Sequence, residues 1–213
     1  MRVTELPKIY PPRPRGAIHP STVGRYRGYL AQYKVNDIRV LIAIMADGEV
    51  AIQSRKREPV RSFRLDATFR REFAKLRTRK GAPYLLDGGI FRADFGRERR
   101  PIVLWDLLVD AGDYLLGSTY RERYDRLRKL AGNPSRLERI TGYACGFVIA
   151  PELWLARNFT ENFAARFEKT RAMDEVEGLV LKNPRGRLQW GIAEENNGDW
   201  NIRVRKANAR HLI

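Results

Sequence analysis

The sequence predicts an α+β fold in which antiparallel β-sheets are flanked by helices. Strand-like and helix-like stretches are both present, but they do not alternate as the βαβ units of a parallel sheet would. Asp47-Gly48 separates two apolar, β-branched runs, which is typical of a hairpin between antiparallel strands. Hydrophobic residues make up 43% of the 213 residues, so the chain can bury a core.

Residues 1–28 are predicted to be an extended basic arm, and residues 29–213 to form one domain. The stretch 6–20 is rich in proline and arginine. Proline fixes φ and has no N–H group to donate, so this stretch favours an extended backbone over a helix or a central strand. The apolar residues of 29–54 then predict the hairpin around Asp47-Gly48.

Helices and further strands follow along the chain. Residues 66–79 carry apolar side chains at helical spacing behind Asp66, the candidate N-cap. Ser118 and Gly132 are the candidate cap and stop of a second helix, and a third is predicted over 157–172. The remaining strands are predicted at 82–91, 100–109, 176–183 and 200–207.

Arginine gives the chain a large positive charge. Lys and Arg number 41 against 25 acidic residues, the net charge is +16, and 32 of the 41 are arginine. A field of this sign attracts polyanions, and the guanidinium binds phosphate through two parallel hydrogen bonds. The charge therefore predicts a nucleic-acid partner; a general bias of the source towards arginine is the alternative.

Cysteine and histidine are too few for several kinds of active site. One cysteine excludes a disulfide framework and a cysteine-ligated zinc site, and two histidines leave little room for a histidine metal site or a Ser-His-Asp triad. The sequence has no phosphate-binding glycine loop of the known types and no nucleophile elbow. Cys145 has no histidine nearby in sequence and is predicted to be a small core residue. Lysine remains as the main candidate for covalent chemistry.

Lys34 lies inside an otherwise apolar strand prediction, AQYKVNDIRVLI at 31–42. Burial disfavours the ammonium form, lowers the pKa of a lysine and so frees the amine as a nucleophile. The alternative is that Lys34 points to the solvent face of the hairpin, as strand alternation allows. The residues of this strand alone leave both interpretations open.

Six short segments occur in an informative order. They are YKVNDIR at 33–39, SRK at 54–56, LLDGGIF at 85–91, VLWDLL at 103–108 with STYRERYDRL after it, VEGLVLK at 176–182 and NIRVRK at 201–206. In this order they resemble the motifs of the covalent nucleotidyltransferases, namely ATP-dependent DNA ligases, RNA ligases and mRNA capping enzymes. The resemblance implies a nucleotidyltransferase (ATP-grasp-like) domain over 29–213. Because only eight residues follow Arg205, we expect no OB-fold domain.

The resemblance implies an ATP-dependent polynucleotide ligase that uses ATP and Mg²⁺ or Mn²⁺. A lysine takes AMP from ATP, AMP passes to a 5′-phosphate, and a 3′-hydroxyl displaces it to seal the strand. The expected partner is nicked or broken nucleic acid, with DNA preferred and an RNA ligase as the alternative. A GTP-dependent capping guanylyltransferase and a non-catalytic nucleic-acid-binding relative stay open. With no apolar run of bilayer length, we expect a cytoplasmic monomer with no membrane partner.

The motifs also imply roles for individual residues. The roles are Lys34 as nucleophile; Lys182, Arg203 and Arg205 as cations at the α-phosphate; Glu177 and Asp87 as metal ligands; Trp105 and Gln32 as adenine contacts; and Arg39 and Arg55 as ribose and phosphate contacts. Cations suit a phosphate under attack, carboxylate oxygens suit a divalent metal, and an aromatic face suits adenine. The alternatives are core packing for Trp105, a turn position for Glu177 and a surface charge for Arg39.

Three positions depart from the motif around the lysine and from the L-D-G-E motif. Asn36 and Asp37 stand where the family has aspartate and glycine, and Gly89 stands where it has glutamate. The metal or ribose contact of that glutamate is then missing, or falls to Asp87 or Asp94.

Arginines outside the motifs are expected to hold the nucleic acid. Arg13, Arg15, Arg25 and Arg27 lie in or beside the arm; Arg97, Arg99 and Arg100 lie in the loop before 101–108; and Arg185 and Arg187 lie on a predicted turn. Loops and an extended arm can follow a phosphate backbone, and each contact releases counterions. The alternative is a solvated surface without an organised footprint.

Overall fold

Two β-sheets and three α-helices make up the described part of the chain. The computed structural model describes residues 9–54, 56–92, 98–140, 143–190 and 197–207. The strands are β1 (Arg13–Ala17), β2 (Leu30–Val35), β3 (Asp37–Ile44), β4 (Val50–Ser54), β5 (Tyr84–Phe91), β6 (Ile102–Asp110), β7 (Asp113–Tyr114), β8 (Leu137–Ile140), β9 (Tyr143–Ala150), β10 (Leu153–Ala156), β11 (Val176–Lys182) and β12 (Asn197–Arg205). The helices are α1 (Ala67–Phe73), α2 (Tyr120–Leu130) and α3 (Phe163–Lys169), with 3₁₀ turns at Pro20–Arg25 and Thr170–Ala172.

The strands form a small sheet and a large one. The small sheet has the order β1-β12-β11-β2, and the large sheet has the order β4-β3-β5-β6-β10-β9-β8, with β7 paired to β6. Neighbouring strands are antiparallel except for the β1–β12 and β6–β10 pairs. The predicted α+β class with largely antiparallel sheets is therefore confirmed.

The sequence had suggested one strand before Asp47-Gly48, but the structure has two, β2 and β3. β3 and β4 do form the predicted hairpin around Asp47-Gly48. Residues 30–35, however, pair with β11 in the small sheet. The chain changes sheets at Asn36, whose N–H donates to the carbonyl of Glu175 at 2.7 Å. The YKVNDIR segment thus crosses from one sheet to the other.

The helix predictions are correct in place but not in extent. Asp66 caps α1 by accepting from the N–H of Phe69, but the α-helix ends at Phe73 rather than near 79. The N-cap of α2 is Thr119 rather than Ser118, because only Thr119 stands three residues before a glutamate, and Thr119 and Glu122 form a capping box.

The third predicted helix is the least accurate. Of the predicted span 157–172, only Phe163–Lys169 is α-helical. The backbone of Phe159 instead exchanges two hydrogen bonds with Ala31, at 2.8 and 2.9 Å, and is held extended. Local sequence cannot reveal this pairing, because its partner lies on a strand well over a hundred residues away.

Part of the segment predicted as an arm is an edge strand. Arg13–Ala17 pairs in parallel with β12, with an irregularity between Pro14 and Gly16. The extended backbone that proline favours is present here, and the edge position is one where a missing N–H is tolerated. The carbonyl of Pro12 also accepts from Nη2 of Arg39 at 2.8 Å, which ties this segment to the larger sheet.

Apolar side chains form two clusters, and each includes residues from both sheets. The first packs α1 and α2 against β3, β5 and β6, and the second packs α3 against the small sheet. Cys145 is buried in the second cluster, as predicted. No helix in the described residues is long and apolar enough to cross a membrane.

Candidate active site

A cavity of about 210 Å³ lies where the two sheets meet. Strands β2, β11 and β12 form one wall, β3, β5 and β6 contribute the other, and residues 12–14 reach its edge. Its polar and aromatic wall residues include Arg13, Gln32, Lys34, Asp37, Arg39, Asp87, Trp105, Asp106, Lys182, Asn201, Arg203 and Arg205. Every described residue that the motif resemblance assigns to nucleotide binding therefore lies on this wall. Arg55 lies outside the described residues.

Strand alternation places Gln32 and Lys34 on the cavity side of β2. Tyr33 and Val35, which alternate with them, bury their side chains in the apolar cluster on the other side. The small sheet thus presents a polar face to the cavity and an apolar face to α3. The solvent-facing alternative for Lys34 is set aside, because its side chain is only 17% exposed.

A β-bulge turns Glu177 towards Lys34. The pairing of β11 with β2 shifts register between Val176 and Gly178, so Glu177 is an extra residue on β11. Regular alternation would have placed its side chain with Leu179 in the apolar cluster. Instead the carboxylate lies 2.7 Å from the amine of Lys34.

Gly178 makes this bulge possible. Its φ is +144°, and a Cβ at this position would lie 2.0 Å from the carbonyl oxygen of Val204. Only glycine combines such a backbone conformation with so close an approach of the neighbouring strand. The glycine of the E-G-L-V-x-K segment is therefore explained by the geometry that presents Glu177.

Lys182 is a second lysine at the cavity, and it is almost completely buried. Burial lowers the pKa of its ammonium to about 8, while Asp106 and Asp87 act in the opposite direction. Its Nζ lies 4.4 Å from the centre of the Tyr120 ring, a cation–π contact. A cation buried at this cost is typical of a site that receives a negative charge.

A buried ion pair fixes α2 beneath the cavity. Arg123 donates from Nε and Nη2 to both oxygens of Asp106, at 3.0 and 2.8 Å, and neither side chain is more than 2% exposed. Tyr120 on the same helix accepts from the amide of Gln32 and donates to Asn158. Helix α2 therefore holds Gln32 in place and lies against Lys182.

Asp87 is bound by an arginine. Arg39 donates to its two carboxylate oxygens at 2.8 and 2.6 Å in a bidentate pair. The metal-ligand role for Asp87 was predicted from the sequence, but these contacts favour a role in orienting Arg39. Arg39 in turn is a partly buried member of the cavity wall, and its surface-charge alternative is set aside.

Asp37 is a site residue to which the motifs assign no role. Its carboxylate lies on the cavity wall. Burial raises its pKa to about 6, although Lys34 and Arg39 act in the opposite direction. A Cβ at Gly89 would lie 2.0 Å from Oδ2 of Asp37, so this carboxylate occupies the space of a side chain at position 89.

Trp105 lies both against the apolar core and at the cavity, which are the two environments predicted for it. Its indole packs partly against the second apolar cluster, and its remaining surface lines the cavity. Strand β6 places it beside Asp106, which faces α2. An aromatic face is thus available for a stacked ring, as adenine binding requires.

Glu177 and Asp37 are the carboxylates that fit a divalent cation. Asp87 and Asp106 have both oxygens bound by arginines, whereas Glu177 is bound through one oxygen, Oε2. No group of three ligand side chains is preassembled among the described residues. This arrangement suits Mg²⁺, which takes one or two carboxylates and completes its shell with water and substrate phosphates.

The arginines predicted to hold nucleic acid lie in different environments. Arg15, Arg25, Arg27, Arg185 and Arg187 are exposed or partly exposed. Arg99 pairs with Asp66 and Glu98, and Arg100 donates to the carbonyl of Ser62, so both hold their own loop. Arg13 lies on the cavity wall, and Arg97 lies outside the described residues.

The fold is known from other proteins, although sequence comparison does not reveal it. No family model and no curated protein matches the chain. Among solved structures, a mycobacterial DNA ligase D complexed with ATP and MES superposes with a TM-score of 0.60 at 21% identity, covering 92% of this chain and 60% of that one. The ligase domain of M. tuberculosis LigD gives 0.59 at 20% identity, covering 89% and 57%. A Lig E DNA ligase gives 0.55 at 14% identity, covering 93% and 70%.

The chain therefore has the fold of the nucleotidyltransferase domain of ATP-dependent DNA ligases. This is the fold that the motif resemblance implies, and the prediction is confirmed. The chain spans about 60% of the length of the first two structures.

Proposed function

We propose that this protein is an ATP-dependent polynucleotide ligase that seals 5′-phosphate/3′-hydroxyl breaks through a lysyl-AMP intermediate. The observation that carries the proposal is the pairing of Lys34 with Glu177 at 2.7 Å, because Lys34 also lies on the wall of a cavity that it shares with Lys182 and further cations. A nucleophile, a proton acceptor and charge for a phosphate are then present in one place.

The first step uses Lys34 as the nucleophile. Its ammonium gives one proton to the adjacent carboxylate of Glu177, which passes it on to solvent, and the free amine attacks the α-phosphorus of ATP. A P–N bond forms, the bond to the bridging oxygen breaks, and pyrophosphate leaves with that electron pair. The nitrogen loses its second proton to solvent. Lys182 and Arg205 stabilise the negative charge on the α-phosphate during attack.

Adenine fits the side of the cavity formed by Trp105 and Gln32. The indole offers a face for stacking, and the amide of Gln32 is already oriented by Tyr120. Glu177 and Asp37 would hold Mg²⁺, whose charge would further polarise the phosphate.

DNA is our proposed substrate. The three solved structures compared above are DNA ligases, one of them complexed with ATP. Arginines on the surface supply charge for a phosphate backbone. Sealing of an RNA break in preference to a DNA nick would instead identify an RNA ligase. The cytoplasmic location and the monomeric state stay predictions from the sequence.

The test is transfer of label from α-labelled ATP to the protein. With Mg²⁺, we expect a covalent adduct that survives denaturing electrophoresis in the wild type and in Lys80→Ala, an exposed lysine that serves as control. Lys34→Ala should lose the adduct completely, and Glu177→Ala should weaken or abolish it. Label retained on Lys34→Ala would contradict the assignment, and preferential labelling from GTP would favour a guanylyltransferase.

A further inference from the structure

We propose that Arg13 and Arg203 form a subsite for the β- and γ-phosphates of ATP, which leave as pyrophosphate. This inference rests on the proposed adenylylation of Lys34 and assigns the leaving group to residues of the N-terminal strand and of β12. The sequence had placed Arg13 among the contacts to nucleic acid.

Three guanidinium groups gather on the β12 side of the cavity. Arg203 and Arg205 are alternate residues of β12, and Arg13 comes from the neighbouring strand β1. Burial, and then the nearby charges of Arg205 and Arg13, lower the pKa of Arg203. Like charges placed this close repel one another, and an anion bound beside Arg203 would relieve that repulsion.

Arg203 is the member that most clearly needs a ligand. Arg205 has Glu177 at 3.4 Å. The Nε of Arg203, in contrast, is buried and has no hydrogen-bond partner among the residues that the structure describes. A buried donor without an acceptor costs free energy, and phosphate oxygens are strong acceptors for arginine.

The strand order places β12, which carries Arg203 and Arg205, beyond β11 as seen from Lys34. Lys34 on β2, Gly178 on β11 and Arg205 on β12 are aligned across the sheet, and β1 follows β12. At ~4.8 Å per strand, β2 and β12 are about 10 Å apart. In phosphoryl transfer the attacking and leaving atoms are roughly in line on opposite sides of phosphorus. Attack from β2 would therefore expel pyrophosphate towards the β12 side of the cavity, where Arg203 lies two residues from the row of Lys34 and Arg205, and where Arg13 reaches the same wall.

The backbone beside Arg13 is fixed to the site. Nη2 of Arg39 donates to the carbonyl of Pro12 at 2.8 Å, and Arg39 is itself held by Asp87. This hydrogen bond fixes Pro12, the residue before Arg13, relative to Arg39 on the cavity wall. The backbone next to Arg13 is thus held beside the site, and Arg13 itself is part of the cavity wall.

The experiment measures binding without chemistry. Inorganic pyrophosphate, ATP and AMP are titrated by calorimetry into protein carrying Lys34→Ala, with Arg13→Gln or Arg15→Gln added. Arg15 is the matched control, because it lies on the same strand but is exposed and off the cavity wall. We expect Arg13→Gln to raise the Kd of pyrophosphate and ATP about 10- to 100-fold, with little change for AMP. Arg15→Gln should leave all three within about twofold.

Equal pyrophosphate affinity in the Arg13→Gln and Arg15→Gln proteins would overturn the subsite. So would the finding that neither of them, nor their Lys34→Ala parent, binds pyrophosphate. If Arg13→Gln does not fold, Arg203→Gln provides the same comparison. The labelling experiment with wild-type protein is independent of these titrations. Pyrophosphate binding that depends on Arg13, together with no lysyl-AMP, would reject the ligase and keep the subsite.

Discussion

The carboxylate of Asp37 fills the space that a side chain at position 89 would need. Two departures from the motifs of the ligase family are therefore one structural feature: where the family has glycine and glutamate, this chain has Asp37 and Gly89. The negative charge stays at the cavity but is supplied by β3 instead of β5. The sequence shows both departures, but only the structure shows that they concern the same space.

A residue exchange tests this relationship. Gly89→Glu alone should lower the rate of lysyl-AMP formation by about 10- to 100-fold, because its side chain clashes with Asp37 and adds a like charge. Asp37→Gly alone should also lower it, because the carboxylate is removed. The double variant Asp37→Gly/Gly89→Glu should recover most of the rate in the labelling assay. A double variant no better than the worse single variant would show that the two positions act independently.

The buried ammonium of Lys182 predicts a pH dependence of stability. Its pKa is about 8 in the folded protein and 10.5 when exposed, so between these values the unfolded chain binds more protons. Stability of the wild type should therefore rise with pH over this interval. Lys182→Met should be more stable than the wild type below pH 8, by roughly 3 kcal/mol at most, and this advantage should shrink as the pH approaches 10.5.

Urea unfolding at pH 7 and pH 10 measures that difference. The exposed residue Lys80 provides the control, since Lys80→Met should give no comparable gain in stability at pH 7. A gain for Lys182→Met that is the same at both values would mean that packing, rather than charge, sets the stability of this position.

At the scale of elements, the bulge in β11 connects the fold to the chemistry. Glu177 reaches Lys34 only because Gly178 adopts a φ that other residues avoid and lets Val204 approach closely. Gly178→Ala should destabilise the protein by roughly 1–3 kcal/mol or more and should also abolish the lysyl-AMP adduct. Gly81→Ala is the control, because Gly81 has a φ of +77° but no atom within 4 Å of the point that a Cβ would occupy.

Gly81→Ala should lower the free energy of unfolding in urea somewhat and keep full labelling. If Gly178→Ala also keeps full labelling, the bulge is not what places Glu177.

The elements that could be predicted from the sequence are those with local signals. The Asp47-Gly48 hairpin, strands β5 and β6 and the Asp66 cap all carry their information within a few residues. Strands β8, β9 and β10 were not predicted. β8 and β10 have only four residues each and little local pattern, whereas the eight residues of β9 were interpreted only as core around Cys145. The division between β2 and β3 was missed for a different reason, since only the distant strands β11 and β5 decide which sheet each joins.

The residues of the candidate site that could be predicted from the sequence are those that lie in the motifs. Lys34, Lys182 and Trp105 were found because the motifs mark them, and the structure places all three at the cavity. The motifs assign no role to Asp37, because its position beside Gly89 depends on how two separate strands pair. The metal-ligand role of Asp87 stays a prediction, and a carboxylate pattern could not reveal that Arg39 donates to both oxygens.

The whole molecule has a net charge of +16. Its arginines include some that are paired with carboxylates of the protein and others on the surface that have no ion pair in the part of the chain that the structure describes. Arg39, Arg99 and Arg123 are paired with carboxylates of the protein and hold it together. Others, described above, lie on the surface and remain available to a polyanion. The loss of affinity for nucleic acid on removing an arginine should therefore depend on where that arginine lies. The change in net charge alone should not predict this loss.

The last prediction compares two sets of three arginines that carry the same charge. Arg15, Arg25 and Arg27 lie on the surface and have no ion pair within the described residues, whereas Arg70, Arg126 and Arg171 are exposed but paired with Glu49, Asp110 and Glu168. Changing the first set to Gln should make the slope of log affinity for a nicked duplex against log salt shallower by about 0.9 for each phosphate interaction removed, and should slow sealing. Changing the second set should leave the slope nearly unchanged, because those guanidiniums already face carboxylates. Equal changes in slope for the two sets would show that only the total charge binds the duplex and that the N-terminal segment has no special place in it.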